Sequence, residues 1–372
     1  MSNHRQELDP VPGPEALTPP PSVAAPPRAE RRVDSPEVLA IVDKLIEEAG
    51  GEPGTFDARL VRDLITTGLK LIPDGRHTGE LKLITTAVKE LRYAFKVFGQ
   101  YPEPHKVSIF GSARTPANHP DYIAAARFSK LMAEAGWMNI TGAGGGIMEA
   151  GHVGPGAGPS FGVAIRLPFE QSTNEVIAKD QKLIHFRYFF TRKLMFISQA
   201  EAVALFPGGF GTMDEAFETL TLIQTGKASM IPVICMEGEG GTFWQEFDEF
   251  MRKGLADRKW INPEDRGLYH LCKTPEEGVK HIVDFYRNYH SSRYVKDDLI
   301  IRMRRRLSEA AMAKLNAEFG KLLKSGAMVQ RGPFEEEDDH LHLPRLVFTH
   351  TRRDFAMVRR LIDRINELDA AG

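Results

Sequence analysis

Three times between Lys106 and Thr212 a short aliphatic run breaks off into glycine. Val107-Ser108-Ile109-Phe110 ends in Gly111-Ser112, and Trp137-Met138-Asn139-Ile140 ends in Thr141-Gly142-Ala143-Gly144-Gly145-Gly146. Ala202–Phe206 ends in Pro207-Gly208-Gly209-Phe210-Gly211-Thr212. Between and beyond these runs lie stretches of helical period. Pro120–Gly136 carries Ala124, Phe128, Leu131 and Met132 on one stripe, and Phe189–Ser198 and Thr212–Thr225 follow. Phe161–Leu167 and Ile231–Met236 read as further strands. Strands alternating with helices build βαβ units, whose parallel sheet must be covered on both faces. The fold class is therefore α/β: a Rossmann-like, doubly wound parallel sheet over residues 101–290.

The flanks read differently. Eight of the 24 prolines fall between Pro10 and Pro27, and such a stretch buries too little apolar surface to offset its ordering entropy. Residues 1–34 are expected to be a disordered Pro-rich tail. Residues 35–100 form a helical annex: Ser35 and Pro36 open one helix, Asp57–Leu71 is a second, and Gly79–Phe98 is a third with Leu81, Ile84, Val88, Leu91 and Phe95 on one face. Residues 291–372 form a small α/β extension, read as a basic helix over Asp298–Lys324, an acidic run Glu335–Asp339, and a strand-helix pair over Leu346–Leu368.

Charge narrows the partners. Lys+Arg is 48 against Asp+Glu 50, so the chain does not grip nucleic acid by bulk charge. The run Arg302-Met303-Arg304-Arg305-Arg306 keeps a nucleic-acid reading open, but without interleaved aromatics it fits a solvated or oligomer-facing surface better. The longest unbroken apolar run, Met230–Met236, falls far short of the ~20 residues of a membrane span. Residues 1–30 lack the apolar core of a secretory signal, and Cys235 and Cys272 read as buried thiols, so a cytoplasmic address is expected.

In an open parallel sheet, ligands bind beyond the carboxyl ends of the strands. All three glycine loops have that position, and the last leads into a helix whose N-terminus favours an anion. Together they point to a phosphorylated ligand. The dinucleotide fingerprint and the Walker pattern are both absent, which disfavours NAD and nucleoside triphosphates. Thr212-Met213-Asp214-Glu215 has two readings. It is a Thr-x-x-Glu capping box, and it is also a carboxylate placed beside any phosphosugar held by the loop. Upstream, Arg192-Lys193 sits in an otherwise apolar helix, with the guanidinium offering a planar fork to phosphate or carboxylate. No HExxH occurs, and His340 and His342 read as a solvated loop, so neither metal nor cofactor is expected.

These motifs together resemble the Lonely Guy (LOG) family, nucleotide phosphoribohydrolases that activate cytokinins and were long labelled lysine decarboxylases. The resemblance covers about residues 104–285. It rests on Gly142–Gly146 with Ile147-Met148, on Arg192-Lys193, and on Pro207-Gly208-Gly209-Phe210-Gly211-Thr212-Met213-Asp214-Glu215. Ile223-Gln224-Thr225-Gly226-Lys227 and Pro168-Phe169-Glu170-Gln171 through Asn174 are similar to the longer bacterial members, some of which are nucleoside-monophosphate nucleosidases. Glu149 departs from the family's usual glycine and leaves the accepted base open.

The resemblance implies catalytic Arg192 and Glu215. It implies substrate contacts from Gly111, Ser112, Gly144, Gly145, Gly146, Met148, Lys193, Gly208, Gly209, Gly211 and Thr212. The implied reaction is hydrolysis of the N-glycosidic bond of a purine nucleoside 5′-monophosphate, such as AMP or a cytokinin-riboside monophosphate, in a homodimer or higher oligomer. The alternative is a non-catalytic nucleotide or molybdenum-cofactor carrier on the same fold, which would keep the phosphate loops but need neither Arg192 nor Glu215.

Overall fold

A computed structural model describes residues 30–103, 105–166, 173–335, 337 and 339–370. Residues 1–29 of the expected Pro-rich tail, and Pro168 to Gln171 of the family-like segment, lie outside these residues, whereas Glu30–Val33, expected as tail, form a helical turn. The described residues form two compact units that divide after Thr86.

The first unit holds helices α1 (Glu30–Val33), α2 (Pro36–Glu48) and α3 (Phe56–Lys70), and the start of α4 (Thr78–Phe98). Side chains cap two of them: Ser35 Oγ accepts from Val38 N–H at 3.4 Å, and Thr55 Oγ1 accepts from Ala58 N–H at 3.3 Å. Val42, Ile46 and Ala58 form a small core to which Ile65 and Leu69 add.

The second unit begins within α4 and continues β1 (Lys106–Phe110), α5 (Pro120–Glu134), β2 (Met138–Thr141), α6 (Ile147–Val153), β3 (Ser160–Ile165), β4 (Leu183–Phe186), α7 (Phe189–Ser198), β5 (Ala202–Leu205), α8 (Phe210–Gln224) and β6 (Val233–Met236). After these come α9 (Phe243–Phe250), running into a π-helical turn at Met251–Ala256, then β7 (His270–Cys272) and α10 (Pro275–Phe285). The seven strands are parallel, in the order β4-β3-β2-β1-β5-β6-β7. The chain winds outward from β1 to β4, returns beside β1 as β5, and winds the other way. The point where strand order reverses therefore lies between β1 and β5, the place where open α/β sheets take their ligands. Strands β1, β2 and β5 are buried along their whole length, as a sheet covered on both faces requires. The last turn of α4 joins this core: Phe98 stacks on Phe161 at 4.4 Å between ring centroids.

The remaining elements are β8 (Tyr289–Val295), β9 (Asp298–Met303), α11 (Glu309–Glu318), β10 (Leu323–Arg331), β11 (Arg345–His350) and α12 (Phe355–Ala370). They form an antiparallel sheet of order β10-β11-β9-β8 with helices α11 and α12. The basic helix expected over Asp298–Lys324 is not one helix. Leu299, Ile300, Ile301 and Met303 are all buried in a central strand, which shows neither helical nor alternating period because both its faces are covered. Arg302 is not a surface charge either: it pairs with Glu337 at 2.7 Å and with Asp339. Arg304 donates to the Tyr286 carbonyl at 3.0 Å. The run Arg302–Arg306 is thus a strand end and a turn, not a basic helical face. Among the described residues no helix is long and apolar enough to cross a membrane.

Candidate active site

At the strand-order reversal the loops after β1 and β5 are tied together. Ser112 N–H donates to the Pro207 carbonyl at 3.0 Å, and Phe206 N–H to the Phe110 carbonyl at 2.8 Å. The approach is close enough to demand glycine: a Cβ on Gly208 would meet Thr212 and the Ser112 amide, and one on Gly111 would meet Ile147. Above this seam opens a cavity of about 990 Å³. Its floor is Gly111, Ser112, Gly208, Gly209, Gly211 and Thr212, with Gly142 and Met148 from the second glycine loop and its helix.

Helix α8 starts at Phe210 with Gly209 as N-cap and no side-chain cap. Thr212 therefore lies inside the first turn and cannot be the N-cap of a Thr-x-x-Glu box. The first-turn residues Phe210, Gly211 and Thr212 line the cavity, and their amides have no intrahelical acceptors. Glu215, one turn on, is 7% exposed, and its Oε2 has no hydrogen-bond partner. The capping reading is excluded: the helix starts at Phe210, and among the described residues Oε2 accepts from no backbone amide. Burial raises its pKa to about 7, against the opposing pull of Lys193 and Arg192.

Arg192 comes from the middle of α7 and lines the same cavity. Its Nε donates to the Val163 carbonyl at 2.8 Å, and its guanidinium lies 5.0 Å from the centre of the Phe196 ring. Burial lowers its pKa to about 10, with Glu215 opposing that shift through space. Its neighbour Lys193 points elsewhere. The ammonium pairs with Asp214 at 2.6 Å and Glu218 at 2.8 Å and is not part of the cavity lining.

The second glycine loop divides in the same way. Gly142 faces the cavity, whereas Gly144, Gly145 and Gly146 do not line it. Gly146 has φ +62°, and a Cβ there would strike the backbone of Ser112 and Ala113. Gly145 and Gly146 thus pack against the first glycine loop. Glu149, in the first turn of α6, is also outside the lining.

The motifs gave no hint of the opposite wall. Phe243, Phe247 and Phe250 of α9 line the cavity together with Phe110, Phe189 and Phe196, and Arg114 and Glu246 stand among the polar lining. The available signal was the i, i+4, i+7 aromatic spacing just beyond a strand of the same sheet. Helix α9 is held by Asp248, which accepts from Arg266 at 2.6 Å and from Tyr269 Oη at 2.6 Å. Among the described residues no group of three His, Cys, Asp or Glu side chains converges as a metal site.

Residues 143–282, from the second glycine loop into α10, match the family model described as "Possible lysine decarboxylase". These residues form a LOG-family domain. No curated protein matches the chain. Among solved structures, TM1055, a structural-genomics target, is 23% identical over 48% of this chain and 98% of its own, with a TM-score of 0.36. The molybdenum cofactor carrier protein of Chlamydomonas reinhardtii is 16% identical, covering 49% of this chain and 97% of its own, at a TM-score of 0.34. The molybdenum cofactor binding protein of Rippkaea orientalis is 18% identical, covering 49% and 97%, at 0.36. The LOG domain contributes α7 and α8, hence both Arg192 and Glu215. The loop after β1, with Gly111 and Ser112, lies outside the matched residues and completes the cavity.

Proposed function

We propose that this cavity hydrolyses the N-glycosidic bond of a purine nucleoside 5′-monophosphate, such as AMP or a cytokinin-riboside monophosphate, giving free base and ribose 5-phosphate. The observation that carries the proposal is Glu215: a buried carboxylate with an unpartnered oxygen, one turn from an open helix N-terminus.

The first-turn amides of α8 and the Gly208-Gly209 loop take the 5′-phosphate. Binding energy gained at that remote group positions the reacting carbon. As the C1′–N bond lengthens, positive charge grows on the ribose, and ionised Glu215 stabilises it and accepts a proton from the attacking water. The water oxygen bonds to C1′, and the electron pair of the broken bond leaves with the base, which takes up a proton. Arg192 binds the substrate beside the carboxylate. The aromatic wall of Phe243, Phe247 and Phe250 suits a planar base, because ring faces stack on one another.

We further propose that the protein works as a homodimer or higher oligomer. Phe190 is 51% and Leu194 45% exposed on the outer side of α7, a surface that favours a partner.

The test is a panel of nucleoside monophosphates incubated with the full chain and assayed for free base and ribose 5-phosphate. AMP should be cleaved far faster than adenosine, and equal turnover of the two defeats the phosphate assignment. Tight nucleotide binding with no cleavage would make the protein a non-catalytic carrier.

A further inference from the structure

The second glycine loop is shaped by a buried hydrogen-bond network centred on a residue outside every motif. Its centre is His152 on α6, which is fully buried. His152 Nε2 lies 3.1 Å from the Phe161 carbonyl oxygen, which can only accept, so Nε2 carries the proton. The Thr141 hydroxyl stands 3.0 Å from the same nitrogen. Nδ1 is then the acceptor and takes a hydrogen from Asn174 Nδ2 at 3.1 Å. The other Nδ2 hydrogen goes to the Gly144 carbonyl at 3.0 Å. Burial lowers the imidazole pKa, in keeping with this neutral tautomer.

Every tie on Ala143 leads into the same network. Ala143 N–H donates to Thr141 Oγ1 at 3.1 Å, and the Ala143 carbonyl accepts from Asn174 N–H at 2.9 Å. Ala143 has φ +61°, a left-handed conformation that costs a side-chain-bearing residue about 1–2 kcal/mol and persists only where the surroundings impose it. Thr141, His152 and Asn174 do not line the cavity, whereas Gly142 of the same loop does. At Gly142 a Cβ would meet the Arg192 guanidinium and Met148, and Ile147 N–H, just past Gly146, donates to the Ser112 carbonyl at 3.0 Å.

We infer that His152, Asn174 and Thr141 are positioning residues, which hold the loop 142–146 in the one conformation that seats Arg192 and Ser112 at the cavity. This builds on the function proposed above, because the loop matters only if the cavity binds a nucleotide. The orienting role itself is read in the ligand-free protein.

Asn174→Asp keeps the size and shape of the side chain but removes both donors. In the full chain, amide hydrogen exchange at Ala143 and Ile147 should quicken at least tenfold, with the α8 amides unchanged. AMP binding measured by calorimetry should weaken about tenfold. Thr141→Val, which removes the hydroxyl under Ala143, should give the same loop signature, and it decides the matter if Asn174→Asp fails to fold. Loop exchange equal to wild type in a folded variant overturns the inference, as does loss of stability throughout the domain with AMP affinity retained. A wild type that does not bind AMP counts against the proposed function, and the exchange rates still decide the role of the network.

Discussion

Lys193 Nζ lies 2.6 Å from Asp214 Oδ2, and each partner stands next in sequence to a residue of the cavity, Arg192 and Glu215. Two adjacent residues on α7 thus face two adjacent residues on α8. The outer pair closes into an ion pair at the rim. The inner pair makes no such bond: Arg192 donates to Val163, and Glu215 leaves an oxygen unpartnered. The rim bond fixes the spacing of the helices, while the inner charges stay available to a third party. A carboxylate held this way is costly, and its cost can be measured.

Glu215 has its pKa raised from 4.5 to about 7, so between those values the folded protein holds a proton that the unfolded chain has lost. The contribution of Glu215 to stability is therefore greatest below pH 4.5, falls as pH rises toward 7, and stays reduced above it. Glu215→Gln removes the penalty. At pH 8 the variant should be more stable than wild type by about 1–3 kcal/mol, with no gain at pH 4, while losing nearly all turnover. Melts at the two pH values, set beside an AMP assay, test both halves.

The pH profile of turnover follows from the same group. If Glu215 acts ionised, activity should rise through about pH 7 and level off above it. Lys193 is the first of the charges that hold this pKa down, so Lys193→Ala should move the rising limb to higher pH. A limb that does not move would mean the rim ammonium is only a strut between α7 and α8.

Much of this was legible in the sequence, for reasons that also explain what was not. Glycine at the ends of β1, β2 and β5 marks the edge of the site because close backbone approach admits nothing larger, as at Gly111 and Gly208. Glu215 stood out by its spacing from that loop, but only the observed helix start at Phe210 separates it from a cap. Strands β4 and β7, four and three residues long, are too short to show a period. Strand β9 was hidden because a fully buried strand has no alternation, and its arginines suggested a solvated helix. The aromatic wall of α9 carries no motif, since Phe243, Phe247 and Phe250 read equally as core.

The C-terminal sheet depends on charges that the sequence presented as surface. Glu337, with its side chain fully buried, accepts from Arg302 at 2.7 Å and from Arg345 at 3.1 Å, and also from Phe334 N–H at 2.9 Å. These donors hold its carboxyl at about 2, against the desolvation that would raise it. A depressed carboxylate contributes stability that is present above pH 4.5 and is lost as pH falls toward 2. Glu337→Ala leaves buried Arg345 without its carboxylate and Arg302 with Asp339 alone, and should cost about 3–5 kcal/mol at pH 7. Glu337→Gln should lose most of its deficit relative to wild type as the pH approaches 2, a convergence that acid melts will show or refute.

The last turn of α4 belongs energetically to the α/β core. Ala94, Val97 and Phe98 are all buried there, and Phe98, 2% exposed, lies flat on Phe161 while Tyr101 meets the same ring edge-on at 5.4 Å. Truncating a buried phenylalanine removes its transfer energy and leaves a cavity, at a cost of about 3–5 kcal/mol. Phe98→Ala should lower the melting temperature by several degrees, and Phe98→Leu, which refills most of the space, by much less. A chain cut to begin at Tyr101 loses the whole turn and exposes Phe161, so it should aggregate or melt earlier still. One beginning at Ala87 keeps the turn and should escape that penalty. If the chain from Tyr101 melts like the one from Ala87, the helix end is not part of the core after all.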